Sequence, residues 1–170
     1  MCILLLLSSC GSKAKPQDNR YVPARKPAKE AIADVNRYLS EKDRAVIEGY
    51  GRRNKLELTL SESGFYYHIF DEGEGMPISQ NSVVAITGTL SLIDGTLCYT
   101  YGEKDPKEVA IARSPEITGL HIALPMLKEN GRAIFIFPPS LAFGLPGDGD
   151  KIPPRSTIIM NISVLNVEQK

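Results

Sequence analysis

The spacing of apolar residues divides the chain into a helical part and a later part that alternates as strands do. Ile32, Val35 and Leu39 recur at helical intervals on one face. Ser40-Glu41-Lys42-Asp43 resembles a capping box, which predicts that a second helix begins there. We therefore expect two short helices within residues 29–55. The pattern leaves open whether they pack on the following domain, pair with each other or bind a partner.

Alternation takes over from residue 56, with candidate strands at residues 56–60, 65–70, 83–93, 96–101, 109–112, 133–137 and 157–164. Asp94-Gly95 is a hairpin-turn signal. One helix interrupts the strands: Ser114 and Pro115 suit its N-cap and first position, and Asn130-Gly131 suits its end. This order predicts an α+β domain over residues 56–170, in which a curved antiparallel sheet wraps on one short helix.

The last two strands are separated by a loop that cannot itself be helix or strand. Residues 138–156 contain five prolines and three glycines. The same loop carries four large apolar residues, Leu141, Phe143, Leu145 and Ile152. A loop of this composition between two buried strands is typical of a segment that lines or covers a cavity.

The N-terminus carries a second signal. Residues 1–9 are strongly apolar but too short to span a bilayer, which takes about 20 residues. Leu7-Ser8-Ser9-Cys10 resembles a bacterial lipobox, which implies a signal peptide over residues 1–9, lipidation at Cys10 and a membrane-anchored protein in the cell envelope, facing the periplasm. The alternative is a signal peptide whose cysteine is incidental.

The segment over residues 10–28 differs from both of its neighbours. Six basic residues and one acidic residue lie between positions 11 and 29, together with three prolines. This composition predicts an extended basic tether. Attraction of the tether to anionic lipid headgroups is the alternative to a simple solvated linker.

Composition and motifs exclude several classes of function. The chain has 20 basic and 20 acidic residues, so a formal charge of zero gives no electrostatic reason to expect nucleic-acid binding. His68 and His121 are far apart, and two of the three cysteines lie in the first ten residues, so the sequence predicts no metal site. Nucleotide-binding, hydrolase and thiol-redox motifs are absent from the sequence, and no cofactor is expected.

Five blocks occur in one colinear order within about Ser61 to Glu168: Val83–Leu90 followed by Asp94-Gly95, Glu116–Leu120, Leu124–Ala133, Pro139–Gly144, and Ile152–Pro154. Together they resemble the FKBP-type peptidyl-prolyl isomerases. The lipobox, tether and helical segment in front of them are also similar to the gliding-motility-associated FKBP-like lipoproteins.

The resemblance implies a pocket in which four residues carry the catalytic roles. Leu120 stands where the pocket floor is usually Trp, and the backbone N–H of Ile117 receives the substrate carbonyl. Phe143 replaces an aromatic residue that bears a hydroxyl, and Ile152 matches the loop isoleucine. The resemblance places five further residues on the pocket wall, Ile86, Cys98, Tyr99, Val109 and Met160. Tyr99 stands where the pocket usually has an aspartate.

The resemblance leads to two hypotheses about function. The first is a membrane-anchored folding helper that isomerises Xaa-Pro bonds of envelope proteins. The second is a non-catalytic FKBP-fold binding lipoprotein that serves a motility or secretion assembly in the envelope. The intact loop favours the first function, and the loss of aromatic, hydroxyl and carboxylate groups from the pocket favours the second.

Overall fold

The computed structural model describes residues 28–169, and it begins with one long helix, α1 (Ala28–Asn54). The expectation of two short helices is wrong. Ser40 to Asp43 lie inside α1, because no glycine or proline interrupts residues 28–48 and a serine in a helix interior costs only a fraction of a kcal/mol, less than about 0.7. The signal peptide, Cys10 and nearly all of the tether lie outside the described residues.

The strands form one antiparallel sheet, β1 (Thr59–Leu60), β2 (Tyr66–Asp71), β3 (Ser82–Leu92), β4 (Leu97–Tyr101), β5 (Lys107–Ala110), β6 (Arg132–Phe137) and β7 (Ile158–Gln169). Their order is β1-β2-β6-β7-β3-β4, and β5 also pairs with β3. The predicted α+β fold is confirmed. The first candidate strand is much shorter than expected, because only two of its five residues pair with β2.

Strands β3 and β7 are the longest and pair along their whole length, from Ser82 opposite Gln169 to Leu92 opposite Ile158. Gly88 is required at the middle of this pairing. Its φ is +136°, and a Cβ there would lie 2.0 Å from the Asn161 carbonyl oxygen. The close approach of the two backbones therefore depends on glycine.

The short helix of the domain is α2 (Thr118–Ala123), followed by a 3-10 turn over Leu124–Met126. It starts later than predicted, because Ser114 Oγ donates to the Ala110 carbonyl instead of capping the helix. It also ends earlier than Asn130-Gly131, because Pro125 has no N–H to continue the α-helical hydrogen bonds and the chain passes into the 3-10 turn. One face of α2 is buried in the main core with Leu120 and Ala123.

A smaller apolar cluster fastens α1 to the outside of the sheet. Ile47 of α1 packs there with four buried sheet residues, Tyr66, Ile134, Ile136 and Ile159. The helix therefore docks by its C-terminal half. In its N-terminal half Ile32, Val35 and Tyr38 stay more than half exposed. Within residues 28–169, neither helix is both long and apolar enough to cross a membrane.

Candidate active site

A cavity of about 360 Å³ opens between α2, the end of the sheet and the loop that joins β6 to β7. Its inner surface is apolar and almost fully buried, formed by Leu90 of β3, Leu120 of α2 and Met160 of β7. Tyr99 and Tyr101 stand two residues apart on β4, so their side chains share the face that forms one wall. Phe143, from the loop, also lines the cavity.

Ile117 places a free hydrogen-bond donor at the edge of this apolar surface. It is the N-cap of α2, and its carbonyl accepts the Leu120 N–H at 3.1 Å. Among the described residues, none accepts a hydrogen bond from the Ile117 N–H itself. A buried N–H without a partner is rare in folded proteins, and this one lies beside an open cavity. It is therefore available to a carbonyl oxygen of a ligand.

His121 braces the segment that carries this donor. Its Nδ1 accepts the N–H of Ala112 at 3.1 Å, so its Nε2 carries the proton that is donated to the Ser114 carbonyl at 3.0 Å. The His121 side chain of α2 thus forms hydrogen bonds with both ends of the turn at Ala112 to Ser114, which leads into residues 115–117. These two hydrogen bonds help to fix the position of Ile117.

Two polar pairs border the cavity. Lys107 Nζ lies 2.7 Å from Glu116 Oε1 and 5.3 Å from the centre of the Tyr101 ring. On the other side Tyr99 Oη donates to Asp148 Oδ2 at 2.5 Å. Burial alone would raise the pKa of Asp148, but hydrogen bonds from Tyr99 and two backbone N–H groups lower it below its ordinary value. Asp148 is therefore a carboxylate at neutral pH.

The model of one protein family, described as FKBP-type peptidyl-prolyl cis-trans isomerase, matches residues 74–165, which is more than half of the chain. The matched range contains every residue that lines the cavity. The chain belongs to the FKBP-type peptidyl-prolyl cis-trans isomerase family. The predicted resemblance is thereby confirmed.

Individual members of the FKBP family show the same relationship. A probable FKBP-type isomerase named FkpA from Neisseria meningitidis is 29% identical over 127 residues, which cover 75% of this chain and 46% of that protein. The outer membrane protein MIP of Legionella longbeachae is 29% identical over 117 residues, covering 69% and 50%. The chain thus spans about half the length of these two relatives. The crystal structure of FkpA from Escherichia coli superimposes with a TM-score of 0.65 at 24% identity, over 83% of this chain and 66% of that one.

The structure brings five of the nine residues predicted for the FKBP-type pocket around one cavity, namely Ile117, Leu120, Phe143, Tyr99 and Met160. The other four, Ile86, Cys98, Val109 and Ile152, do not line it. All four are buried in the core, with at most 4% of their surface exposed. On β5, Lys107 lines the cavity and Val109 does not, because Lys107 pairs with Ile86 of β3 and Val109 pairs with Val84, which is farther along β3 from Leu90.

Sequence reasoning missed several residues of the wall. Tyr101 could have been found, because it follows Tyr99 by one strand period. Lys107, Glu116 and Asp148 gave no signal, since exposed loops and strand ends carry charged residues routinely. Their grouping depends on strand register and on the path of the loop after Phe143.

Cys98 lies behind the cavity as a buried thiol. Its Sγ is 3.7 Å from the carbonyl oxygens of Thr96 and Lys151. Burial, followed by the negative charge of Asp148, raises the pKa of this thiol. Cys98 is therefore a packing residue in its protonated form.

Other surface features of residues 28–169 are weaker candidates for the site at which a proline peptide binds. A larger groove of about 620 Å³ lies between α1 and strands β1 and β2, and five charged side chains line it, Arg44, Glu48, Arg52, Lys55 and Glu57. In this part of the chain no three side chains from His, Cys, Asp or Glu come together as metal ligands. The cavity at Ile117 remains the candidate active site.

Proposed function

We propose that the protein isomerises Xaa-Pro peptide bonds in the cavity between α2 and the β6–β7 loop. Rotation about a peptide bond faces a barrier of about 18–20 kcal/mol because amide resonance must be broken. The twisted transition state has lost this resonance and is less polar than the planar amide. An apolar cavity therefore favours the twisted form, and no nucleophile or metal is required.

The observation that carries this proposal is the unpartnered N–H of Ile117 beside an apolar surface. In this role the N–H donates a hydrogen bond to a carbonyl oxygen beside the rotating Xaa-Pro bond and holds the peptide in place. Leu120 and Met160 form the dry floor under the proline ring, and Phe143 covers it. Ile152 acts from the core, supporting the loop rather than touching the substrate.

Removal of the Phe143 ring tests this assignment. Phe143→Ala should lower kcat/KM for a proline peptide about tenfold, because an aromatic cover of the cavity is lost. Leu145→Ala is the matched control, since Leu145 lies on the same loop, is 75% exposed and does not line the cavity. Equal rates for the two variants would contradict the proposed site.

A non-catalytic binding role is the second candidate. The exposed apolar residues of α1, Ile32, Val35 and Tyr38, favour it, because such a surface suits a protein partner. In that case the protein would bind proline peptides at the cavity without accelerating their isomerisation, and it would serve a motility or secretion assembly in the envelope.

We further propose that the protein is an envelope lipoprotein that acts on envelope proteins. The lipobox at Cys10 supports this, and so does a relative named as an outer membrane protein. Cys10→Ser should move the protein from the membrane fraction to the soluble fraction and lower its mass by the acyl groups. An unchanged membrane fraction with unchanged mass would refute the anchor.

A further inference from the structure

Tyr99 and Asp148 form a polar pair that the apolar mechanism above does not use. They lie 49 positions apart, one on β4 and the other on the β6–β7 loop. The Tyr99 hydroxyl donates to Asp148 at 2.5 Å, and a second carboxylate, that of Asp150, lies 3.4 Å away. The side chains of Tyr99 and Asp148 both line the cavity.

Asp148 is also the centre of the turn in which it lies. Its Oδ1 accepts the N–H groups of Asp150 and Ile152, at 2.9 and 2.7 Å. Gly147 and Gly149 flank it with positive φ angles of 74° and 80°. Both carboxylate oxygens are thus in use, one within the loop and one towards the sheet. Tyr99 makes the shorter of two side-chain contacts between this turn and β4, the other being the Cys98 thiol at 3.7 Å from the Lys151 carbonyl oxygen.

The Tyr99–Asp148 pair contains a hydroxyl and a carboxylate, the two polar groups whose loss from the pocket the family resemblance implies. A hydroxyl is absent at Phe143 on the loop, and a carboxylate is absent at position 99 on the strand. The cavity nevertheless contains one hydroxyl and one carboxylate that face each other. Their carriers are exchanged, with the hydroxyl on the strand and the carboxylate on the loop.

The direction of the hydrogen bond decides what Tyr99 offers to a ligand. Its single proton is committed to Asp148, which can only accept because it is ionised. The oxygen of Tyr99 therefore presents lone pairs to the cavity and acts there as an acceptor. Ile117, which also lines the cavity, presents a donor.

We propose that Tyr99, held by Asp148, is a specificity-determining residue that accepts a hydrogen bond from the backbone N–H that follows the proline, while the same pair keeps the loop closed. This rests on the proposed function, since it assigns the second polar anchor of the same peptide site. A donor at Ile117 and an acceptor at Tyr99 fix the direction in which the peptide lies.

Hydrogen–deuterium exchange tests the loop part without any use of catalysis. Tyr99→Phe should speed exchange of the Asp150 and Ile152 amides several-fold, because the turn loses the stronger of its two side-chain contacts with β4. Tyr67→Phe is the matched control: Tyr67 is a half-buried tyrosine of β2 that does not line the cavity. Unchanged exchange in Tyr99→Phe would overturn the closing role.

A pair of peptides tests the anchor part. One carries a free N–H after the proline, and the other is N-methylated at that nitrogen. The wild-type protein should bind the first about twofold to twelvefold more tightly, as expected for one hydrogen bond, with KM changing and kcat nearly constant. Tyr99→Phe should lose most of this preference. Asp148→Asn should lose part of the preference for the peptide with a free N–H. The amide group at position 148 can donate to the Tyr99 oxygen, and the Tyr99 hydroxyl can then point its proton into the cavity.

Equal discrimination by wild type and Tyr99→Phe would overturn the anchor, as would a wild-type protein that binds neither peptide. Failure of the proposed function looks different. In that case the peptides still bind with the expected preference, as measured by NMR titration, but the rate of cis–trans exchange does not rise.

Discussion

Asp43 and Arg155 join α1 to the loop beside the cavity through two parallel hydrogen bonds. The guanidinium group of Arg155 donates to both carboxylate oxygens of Asp43, at 3.1 and 3.0 Å, across 112 positions of sequence. The backbone N–H of Arg155 donates in turn to the Gly144 carbonyl at 2.9 Å. One residue therefore fastens the helix to the loop and the end of the loop to its beginning.

Loss of this ion pair should cost measurable stability. Arg155→Gln should lower the free energy of unfolding by about 1 kcal/mol, because a bidentate pair that is partly shielded from water is lost. Arg37→Gln removes an exposed pair with Asp34 within α1, and it should cost less than about 0.5 kcal/mol. Urea unfolding followed by circular dichroism measures both. Equal losses would show that the pair does not fasten the helix.

Glycine at position 119 allows α2 to lie close against Phe137 of β6. A Cβ there would lie 2.3 Å from Cδ1 of Phe137 and 2.9 Å from the Leu141 carbonyl oxygen. Gly119→Ala should destabilise the fold by about 1–3 kcal/mol through overpacking. Gly102→Ala is its control, because nothing lies within 4 Å of a Cβ at that position. A fall in melting temperature confined to Gly119→Ala is expected, and similar melting temperatures would contradict the packing.

Cys98 should react slowly in the folded protein. Its thiol is buried, and its raised pKa keeps it protonated at pH 8, whereas the thiolate is the reactive form. In a Cys2→Ser/Cys10→Ser background, labelling with an aromatic disulfide should be at least about tenfold slower in buffer than in urea. Rapid labelling of the native protein would show that Cys98 is an exposed, activated thiol.

The pKa of Tyr99 provides a spectroscopic signature of its partner. The hydrogen bond to Asp148, followed by burial and the nearby negative charges, raises this pKa to about 12 from an ordinary value of 10.0. The folded state favours the neutral phenol over the phenolate. The contribution of the Tyr99 hydroxyl to the free energy of unfolding is therefore complete below pH 10 and is lost as the pH rises through about 12. A carbon-13 NMR titration of labelled tyrosine should show it, and Asp148→Asn should lower the midpoint. A wild-type midpoint near 10 would contradict the pairing.

The central strands of the fold could be predicted from the sequence, but the long helix could not. The apolar runs of β3 and β6 are bounded by glycine, proline or turn residues, so their positions follow from local pattern alone. Strand β7 begins close to its predicted start but runs five residues past its predicted end at position 164, where no such residue marks the boundary. In α1 the local pattern at Ser40 to Asp43 predicts a break between two helices. Tertiary contacts prevailed there, because Ile47 packs on the sheet and Asp43 is held by Arg155.

The floor of the site could be predicted better than its polar rim. Ile117, Leu120 and Phe143 stand within motif blocks whose spacing is fixed by α2 and by the loop. The Tyr99–Asp148 pair depends on the register of β4 and on the left-handed conformations at Gly147 and Gly149, which a single sequence does not reveal. The sequence therefore predicts Tyr99 as a wall residue but does not predict its partner.

Catalysed exchange of a proline peptide tests the central claim most directly. Two-dimensional exchange NMR would follow the cis and trans signals of short peptides that differ only in the residue before proline, with the wild-type protein in catalytic amounts. We expect the interconversion rate to rise in proportion to protein concentration for at least one peptide, with cis and trans populations unchanged. No increase with any peptide, at protein concentrations at which binding is observed, would contradict the isomerase function.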